Sequence, residues 1–154
     1  MSIEIDPSSS SAILKLKRLD RLTKEGVEFA AFTSANGLRK SANTEILKKP
    51  KTGRIYIRRD RAGRRRRHQA SAAGESHANL TGTLRKAISF KASNVAIEFG
   101  YGVLKNDAPA YAARIEFGQG SIQARNTLSN AIRSERRNFQ NNFDREIGKR
   151  LGTL

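Results

Sequence analysis

The feature that most constrains this chain is a concentration of positive charge near its middle. Between Lys48 and Arg67 there are eleven Lys and Arg residues against a single acid, Asp60, so this segment supplies +10 of the net +16. Charge at this density attracts polyanions, with an affinity that falls steeply as salt rises. The segment therefore predicts an element that contacts nucleic acid or an acidic neighbouring subunit. A solvated basic loop without a specific partner is the third alternative.

The remaining bulk properties indicate one small domain. A chain of 154 residues with 37% hydrophobic residues suits a single domain with a modest core, which we expect to span residues 1–154. Cysteine is absent, which excludes disulfides and thiolate metal sites. The N-terminus does not have the order of a signal peptide, and no apolar run is long enough to span a bilayer. We expect a cytosolic protein without membrane contact.

The two ends of the chain carry helical periodicity. Residues 1–9 are predicted to be flexible, and Ser8–Ser11 offers candidate N-caps for a helix that ends before Pro50. Gly26 and Gly37 are candidate bends in this helix. Apolar residues at steps of three and four define its core face: Leu14, Leu19, Leu22, Val27, Ala31, Leu38, Ala42 and Ile46. A second stripe predicts one long C-terminal helix: Leu128, Ile132, Phe139, Phe143, Ile147 and Leu151.

Between the helices the pattern favours strands. In 54–58, Ile55 and Ile57 alternate with basic residues and Tyr56, which predicts a strand with the basic residues on the other face. Residues 59–79 have no periodicity and predict a long basic loop. A helical turn is expected at 80–86, followed by an antiparallel hairpin that turns at Ser93-Asn94.

The predicted fold class is therefore α+β. A small antiparallel sheet packs with the long N-terminal and C-terminal helices, and the long basic loop joins the first strand to the hairpin. The type of the short apolar element at 109–117 is left open.

The residues that could perform catalysis form no recognisable constellation. His68 and His77 have no metal-ligand spacing and are expected to be solvent-exposed loop histidines. Glu98 and Glu116 each precede Phe-Gly, and two carboxylates could bind Mg²⁺ in a nuclease. Capping or pairing with Arg is the favoured role for both acids. We predict no catalytic site, no metal and no cofactor.

The candidate contact residues for DNA or an acidic partner are the arginines of the basic segment. They are Arg54, Arg58, Arg59, Arg61, Arg64, Arg65, Arg66 and Arg67. Tyr56 and Tyr111 are the aromatic residues near basic ones, but they do not form the ladder of a single-strand binder. If the arginines contact DNA, they bind phosphate charge rather than base sequence.

Three stretches in this order resemble motifs of the tail-completion, or neck, protein family of long-tailed bacteriophages. They are TGTLRKAI at 81–88, YAARIEFG at 111–118 and ARNTLSNAI at 124–132, and the middle one is the most specific. The resemblance covers about half of the chain. The residues that it assigns to subunit packing are Gly82, Leu84, Ile88, Tyr111, Glu116, Phe117, Gly118, Ala124, Arg125 and Leu128.

The resemblance implies a virion subunit without a catalytic site, assembled in the host cytoplasm. Such subunits form a homo-oligomeric ring, most often six-fold, at the head–tail junction. Their partners are head-closure or connector proteins and tail-tube or tail-terminator proteins, and double-stranded DNA passes through the lumen. The alternative function is a sequence-independent nucleic-acid-binding protein of the ribosomal or nucleoid type. A metal-dependent nuclease is the third hypothesis.

Overall fold

The structure is a computed structural model that describes residues 7–79 and 81–152. It is α+β, as predicted, with a long N-terminal helix and a long C-terminal helix packed against each other beside two small antiparallel sheets. The elements in chain order are α1 (Pro7–Leu47), β1 (Ile55–Arg59), β2 (Arg65–Gln69), α2 (Thr83–Ala87), β3 (Ile88–Ala92), β4 (Ile97–Tyr101), α3 (Ala112–Phe117) and α4 (Thr127–Leu151).

Helix α1 is a single helix of 41 residues, about 60 Å long at 1.5 Å per residue. It begins at Pro7, whose fixed φ and missing N–H suit the first turn of a helix. Residues 7–9, predicted to be flexible, are therefore helical, and residues 1–6 lie outside the described part of the chain. The helix ends at Leu47, before Pro50, as predicted.

The two glycines of α1 that were candidate bends lie where α4 approaches the helix closely. A Cβ atom on Gly26 would lie 3.3 Å from the Cα of Ile147, and one on Gly37 would lie 3.1 Å from a carboxylate oxygen of Glu135. Neither glycine interrupts the helix, which is continuous from Pro7 to Leu47. The earlier glycine of α1, Gly26, contacts the later residue of α4, Ile147, and Gly37 contacts the earlier residue, Glu135. The two helices are therefore antiparallel.

Helix α4 is shorter than α1, with 25 residues and a length of about 37 Å. Its C-terminal turn lies beside Phe29, where the Arg150 guanidinium is 5.1 Å from the ring centroid. The earlier turns of α1 extend past this end of α4, and every side chain from Ser11 to Arg21 is exposed.

The core is small and rich in alanine because the two helices pack closely. One cluster of buried residues consists of Ala42, Ile46, Ile88 and Ala131, with Phe99, Tyr101 and Leu128 packed against them. The other buried hydrophobic residues are Ala30, Ala31, Ala35, Leu38, Leu84 and Ala112. The predicted stripe of α4 is only partly in this core, since Ile132 is 52% exposed whereas Ala131 is fully buried.

The predicted hairpin is confirmed as β3 and β4, in a register that pairs Phe90 with Phe99. Ser93 closes the turn, because its backbone N–H donates to the carbonyl oxygen of Ala96 at 2.9 Å. The hairpin packs on α1, where the rings of Phe32 and Phe90 meet edge to face at 5.7 Å.

The loop predicted for residues 59–79 is wrong in its first half. Residues 65–69 form β2, which pairs antiparallel with β1. The chain therefore has two separate two-stranded sheets rather than one sheet. Residues 70–79 are irregular, as predicted. The helical turn expected at 80–86 corresponds to α2, with Leu80 outside the described residues, and the element of open type at 109–117 contains α3.

Candidate functional site

Strands β1 and β2 form a two-stranded ribbon that carries most of the predicted contact residues. The pairs along it are Ile55–Gln69, Tyr56–His68, Ile57–Arg67, Arg58–Arg66 and Arg59–Arg65. No third strand pairs with either edge within residues 7–79 and 81–152. All ten strand residues except His68 are exposed, so the ribbon projects into solvent on both faces.

The positive charge lies on both faces of the ribbon. Residues directly opposite in an antiparallel pair share a face. Ile57 therefore shares its face with Arg67, and Ile55 shares it with Gln69. The alternation predicted within residues 54–58 holds for β1, but β2 and Arg59 add arginines to the isoleucine face. On the other face, Tyr56 is 46% exposed.

One acid organises the turn between the strands. The Asp60 carboxylate accepts hydrogen bonds from the backbone N–H groups of Ala62 and Arg64 at 3.0 and 2.9 Å. It also forms ion pairs with the side chains of Arg64 at 3.5 Å and Arg66 at 3.3 Å. Asp60 thus shapes the loop and neutralises part of its charge.

The base of the ribbon is fixed to the body through Thr52 and Glu75. The Glu75 carboxylate accepts hydrogen bonds from the Thr52 hydroxyl at 2.6 Å and the Ala72 N–H at 2.8 Å. These bonds, that of Thr52 first, lower the pKa of Glu75. Lys51 donates to the Glu45 carbonyl oxygen at 2.9 Å, and burial lowers its pKa. The ribbon therefore has a fixed origin beside the end of α1.

A second cluster lies where α3 meets α4, around the buried carboxylate of Glu116. This residue is 2% exposed and accepts hydrogen bonds from three backbone N–H groups of the first turn of α4: Thr127 at 3.0 Å, Leu128 at 2.8 Å and Ser129 at 3.3 Å. Asn126, the N-cap residue, makes no side-chain cap bond. Glu116 therefore caps α4 from another helix, which confirms the structural capping role predicted for it.

The same cluster contains His77, which contradicts the prediction of a solvent-exposed loop histidine. His77 is 5% exposed, and its Nδ1 lies 2.9 Å from the Thr127 hydroxyl. Burial first, and then the charge of Lys51, lower its pKa to about 4, so the ring is neutral at pH 7. The Tyr101 hydroxyl donates to Glu116 at 3.2 Å, and burial followed by the Glu116 charge raises the pKa of Tyr101.

The three stretches that resemble the phage family meet at one cavity of about 460 Å³. Its walls include Thr81, Gly82 and Leu84 from the first stretch, Tyr111 and Ile115 from the second, and Arg125 from the third, together with His68 and His77. Their distance along the chain did not indicate that the three stretches meet. The cavity lies beside the ribbon because His68 belongs to β2.

The other motif residues have different surroundings. Ile88 is buried and Leu128 packs against the core, so both stabilise the chain itself, as does the buried Leu84 of the cavity wall. Gly118 has a φ of 73°, and a Cβ atom there would lie 2.6 Å from the Ala124 backbone nitrogen. Phe117 is 71% exposed, immediately after the buried Glu116.

Sequence reasoning missed Tyr101 and Thr127, whose partners lie far along the chain. Tyr101 ends the second strand of the hairpin and Thr127 begins α4. Neither position indicated that these side chains share hydrogen bonds with His77 and Glu116. Glu98, the second acid before Phe-Gly, is exposed on β4 and pairs across the hairpin with Lys91.

The described part of the chain contains neither a metal-ligand cluster nor a membrane-spanning helix. Within residues 7–79 and 81–152, no three His, Asp or Glu side chains are grouped as a metal site would require. None of the helices in these ranges is long and apolar enough to cross a membrane. In comparisons with known proteins, no family model, no curated protein and no solved structure matches this chain.

Proposed function

We propose that this chain is a non-enzymatic structural subunit of a tailed-phage virion. Copies of it close a ring at the head–tail junction, between connector or head-closure proteins and the tail tube or its terminator, and duplex DNA passes through the lumen. The observation that carries the proposal is the exposed arginine ribbon of β1 and β2, which projects charge on both faces from a fixed base.

Duplex DNA presents about one negative charge per 1.7 Å of axis. Six copies of the +10 segment would bring about sixty positive charges to the lumen. A ribbon with arginines on both faces contacts phosphates without depending on base sequence. This diffuse attraction suits DNA that slides through a ring rather than docking at one site.

The convergence of the three stretches at one cavity supports the resemblance to the neck family. Thr81 of the first stretch and Arg125 of the third are 44 positions apart, and both line the cavity. This is expected if the three motifs together build one surface. The exposed Phe117 beside this region provides an apolar side chain suited to a contact between subunits.

The location is tested in the phage that encodes the protein. Deletion of the gene should yield DNA-filled heads beside unattached tails, and the purified protein should restore joining. Joined, infectious particles without the protein would contradict the proposal.

The role of the ribbon is tested with a matched pair of triple variants. Arg58, Arg65 and Arg67 form no ion pair with a described acid, and replacing all three with Ala removes three charges from the ribbon. If each contacts one phosphate, the slope of log Kobs against log salt for duplex DNA should fall by about 3. Replacement of Arg133, Arg136 and Arg137 of α4 removes the same charge elsewhere and should leave that slope nearly unchanged. If the two triple variants changed the salt slope equally, DNA binding would depend on the net charge of the protein and not on the ribbon.

A sequence-independent nucleic-acid-binding protein is the second candidate, because the same ribbon could bind DNA or RNA as a monomer. Sedimentation of the protein with duplex DNA separates the two functions. Tight binding by single, unassembled copies at physiological salt favours the second candidate, and binding that appears only with assembly favours the ring.

A further inference from the structure

The arginines of the β1–β2 ribbon are concentrated at its free end. The two strand pairs nearest the body of the protein, Ile55–Gln69 and Tyr56–His68, contain no arginine. Each of the three pairs nearer the turn contains at least one: Ile57–Arg67, Arg58–Arg66 and Arg59–Arg65. All of these arginines are exposed, and the residues that join the strands add Arg61 and Arg64. Positive charge within the ribbon therefore increases with distance from its base.

The turn at this free end is narrow and has a defined shape. We call residues 60–64 the ribbon tip. The Asp60 N–H donates to the Arg64 carbonyl oxygen at 2.9 Å, and the Gly63 N–H donates to the Asp60 carbonyl oxygen at 3.0 Å. The two small residues of the tip, Ala62 and Gly63, are exposed. The one acid, Asp60, is paired with Arg64 and Arg66, which reduces its repulsion of an approaching anion.

The arginines near the tip are divided between the two faces of the ribbon. Successive side chains of a strand point to opposite faces, and paired residues share one. The isoleucine face therefore carries Arg59, Arg65 and Arg67, and the opposite face carries Arg58 and Arg66. A ribbon that lay flat on a negative surface would use one of these sets and leave the other in solvent. Positive charge on both faces instead matches a space between two negative walls.

The dimensions of the ribbon select the groove of duplex DNA that provides such a space. A sheet with its side chains is about 10 Å thick, since stacked sheets pack about that far apart. The major groove is about 12 Å wide and the minor groove about 6 Å, so the ribbon fits the major groove alone. The major groove is about 8.5 Å deep, which is about 2.5 residues along a strand. The tip and the outermost pairs would therefore lie inside it, and the uncharged pairs at the base of the ribbon would lie outside.

We propose that the ribbon enters the major groove of duplex DNA tip first. The arginines of the isoleucine face then contact one phosphate backbone, and Arg58 and Arg66 contact the other. The inference rests on the proposed function only in taking duplex DNA as the partner of the ribbon. Phosphates recur at every base pair and carry no sequence information, so a ribbon held in this way remains free to move along the groove.

Chemical protection of the DNA tests which groove is occupied. Dimethyl sulfate methylates guanine at N7 in the major groove and adenine at N3 in the minor groove, so one reaction reports on both grooves. The probe is a duplex of mixed sequence, saturated with the full-length protein at low salt. We expect a loss of guanine N7 methylation and unchanged adenine N3 methylation. Protection of adenine N3, or protection of neither position on a duplex that is bound, would overturn the proposal.

A matched pair of single variants tests whether both faces of the ribbon contact DNA. Arg58 and Arg65 are exposed on opposite faces, and neither forms an ion pair with a described acid. Arg58→Ala and Arg65→Ala should each lower the slope of log Kobs against log salt by about 0.9. A change in only one of the two variants would show that the ribbon lies flat on the DNA, and a change in neither would show that it makes no phosphate contact.

Disulfide capture tests the direction of entry, because the chain has no cysteine of its own. Ala62→Cys places a thiol on the tip, and Gln69→Cys places one on the exposed base of the ribbon. Each full-length variant is mixed with a duplex that carries a thiol tether on N4 of a cytosine, in the major groove, or on N2 of a guanine, in the minor groove. We expect the major-groove tether to capture Ala62→Cys alone. Capture of Ala62→Cys by the minor-groove tether, or equal capture of the two variants, would overturn tip-first entry.

The outcomes separate this inference from the proposed function. A duplex that is bound without protection of the major groove would overturn the insertion and leave the proposed DNA contact intact. A protein that binds no duplex even at low salt would overturn both the insertion and the DNA contact. The location of the protein at the head–tail junction is decided independently, by the particles that form after deletion of the gene.

Discussion

Replacement of Glu116 with Gln is the sharpest test of how this fold is held together. One carboxylate accepts hydrogen bonds from three N–H groups at the start of α4 and from the Tyr101 hydroxyl, in a site where Glu116 is 2% exposed. In the amide, one oxygen can still accept from Leu128 and Ser129. The NH₂ group then faces the Thr127 N–H and the tyrosine hydroxyl, which are both donors.

The expected loss of stability follows from these contacts. Leaving the Thr127 N–H unpaired in a buried site costs about 1–3 kcal/mol, and weakening two charge-assisted bonds to neutral ones costs about 1 kcal/mol each. The lost interaction between the carboxylate charge and the positive end of α4 acts in the same direction. A total of about 3–5 kcal/mol is a large share of the stability of a domain of this size. The melting temperature should fall by roughly 6–20 °C.

Glu98→Gln is the control, because Glu98 also precedes Phe-Gly but is exposed on β4. Thermal and urea unfolding followed by circular dichroism at 222 nm measures both variants. We expect Glu98→Gln to unfold close to the unsubstituted protein. If the melting temperature of Glu116→Gln lies within about 2 °C of that of the unsubstituted protein, the three hydrogen bonds to α4 contribute nothing measurable to stability.

Two further predictions concern His77 and Gly102. The pKa of His77 is about 4 in the folded chain against 6.5 when unfolded. The unfolded state therefore takes up the proton first, and stability should fall by about 3 kcal/mol between pH 6.5 and pH 4. The urea midpoint should fall less between pH 6.5 and pH 4 in His77→Gln than in the unsubstituted protein. An equal fall in the two proteins would contradict this prediction. Gly102 has a φ of 73°, and a Cβ atom there would lie 2.8 Å from the Cα of Ala108 and closer still to its nitrogen. Gly102→Ala should lose more stability than Gly120→Ala, which has a similar φ, 63°, but open space. Equal losses would mean that the loop shifts freely.

The sequence predicted the elements whose periodicity arises from burial. Helix α4 and the β3–β4 hairpin each place one face against α1 and one face in solvent, so their apolar residues recur at the period of the element. Strand β2 carries no such pattern. Its residues, Arg65 to Gln69, are almost all exposed on both faces, and a strand without a buried face has no alternation to detect.

The roles of the site residues could be predicted only where they depend on residues close by in the sequence. Glu116 was expected to cap or pair, because an acid beside Phe-Gly ends an element. The helix that it caps could not be inferred, since the loop from Gly118 to Asn126 determines which N-terminus reaches it. His77 was misplaced for a similar reason. It is buried by Thr127, fifty positions along the chain, and its own neighbours form an irregular polar segment.

The ribbon of β1 and β2 contains unfavourable interactions of its own. Its pairs Arg58–Arg66 and Arg59–Arg65 place like charges directly opposite each other, which is unfavourable. An isolated two-stranded hairpin is only marginally stable in water. Within the chain, Asp60 is the one acid of the segment and offsets only part of the repulsion. A polyanion bound along the ribbon would neutralise the remaining charge and favour the paired conformation by mass action. The same arginines that make the ribbon costly to form alone would therefore make it more stable if a phosphate backbone or an acidic protein surface were bound along it.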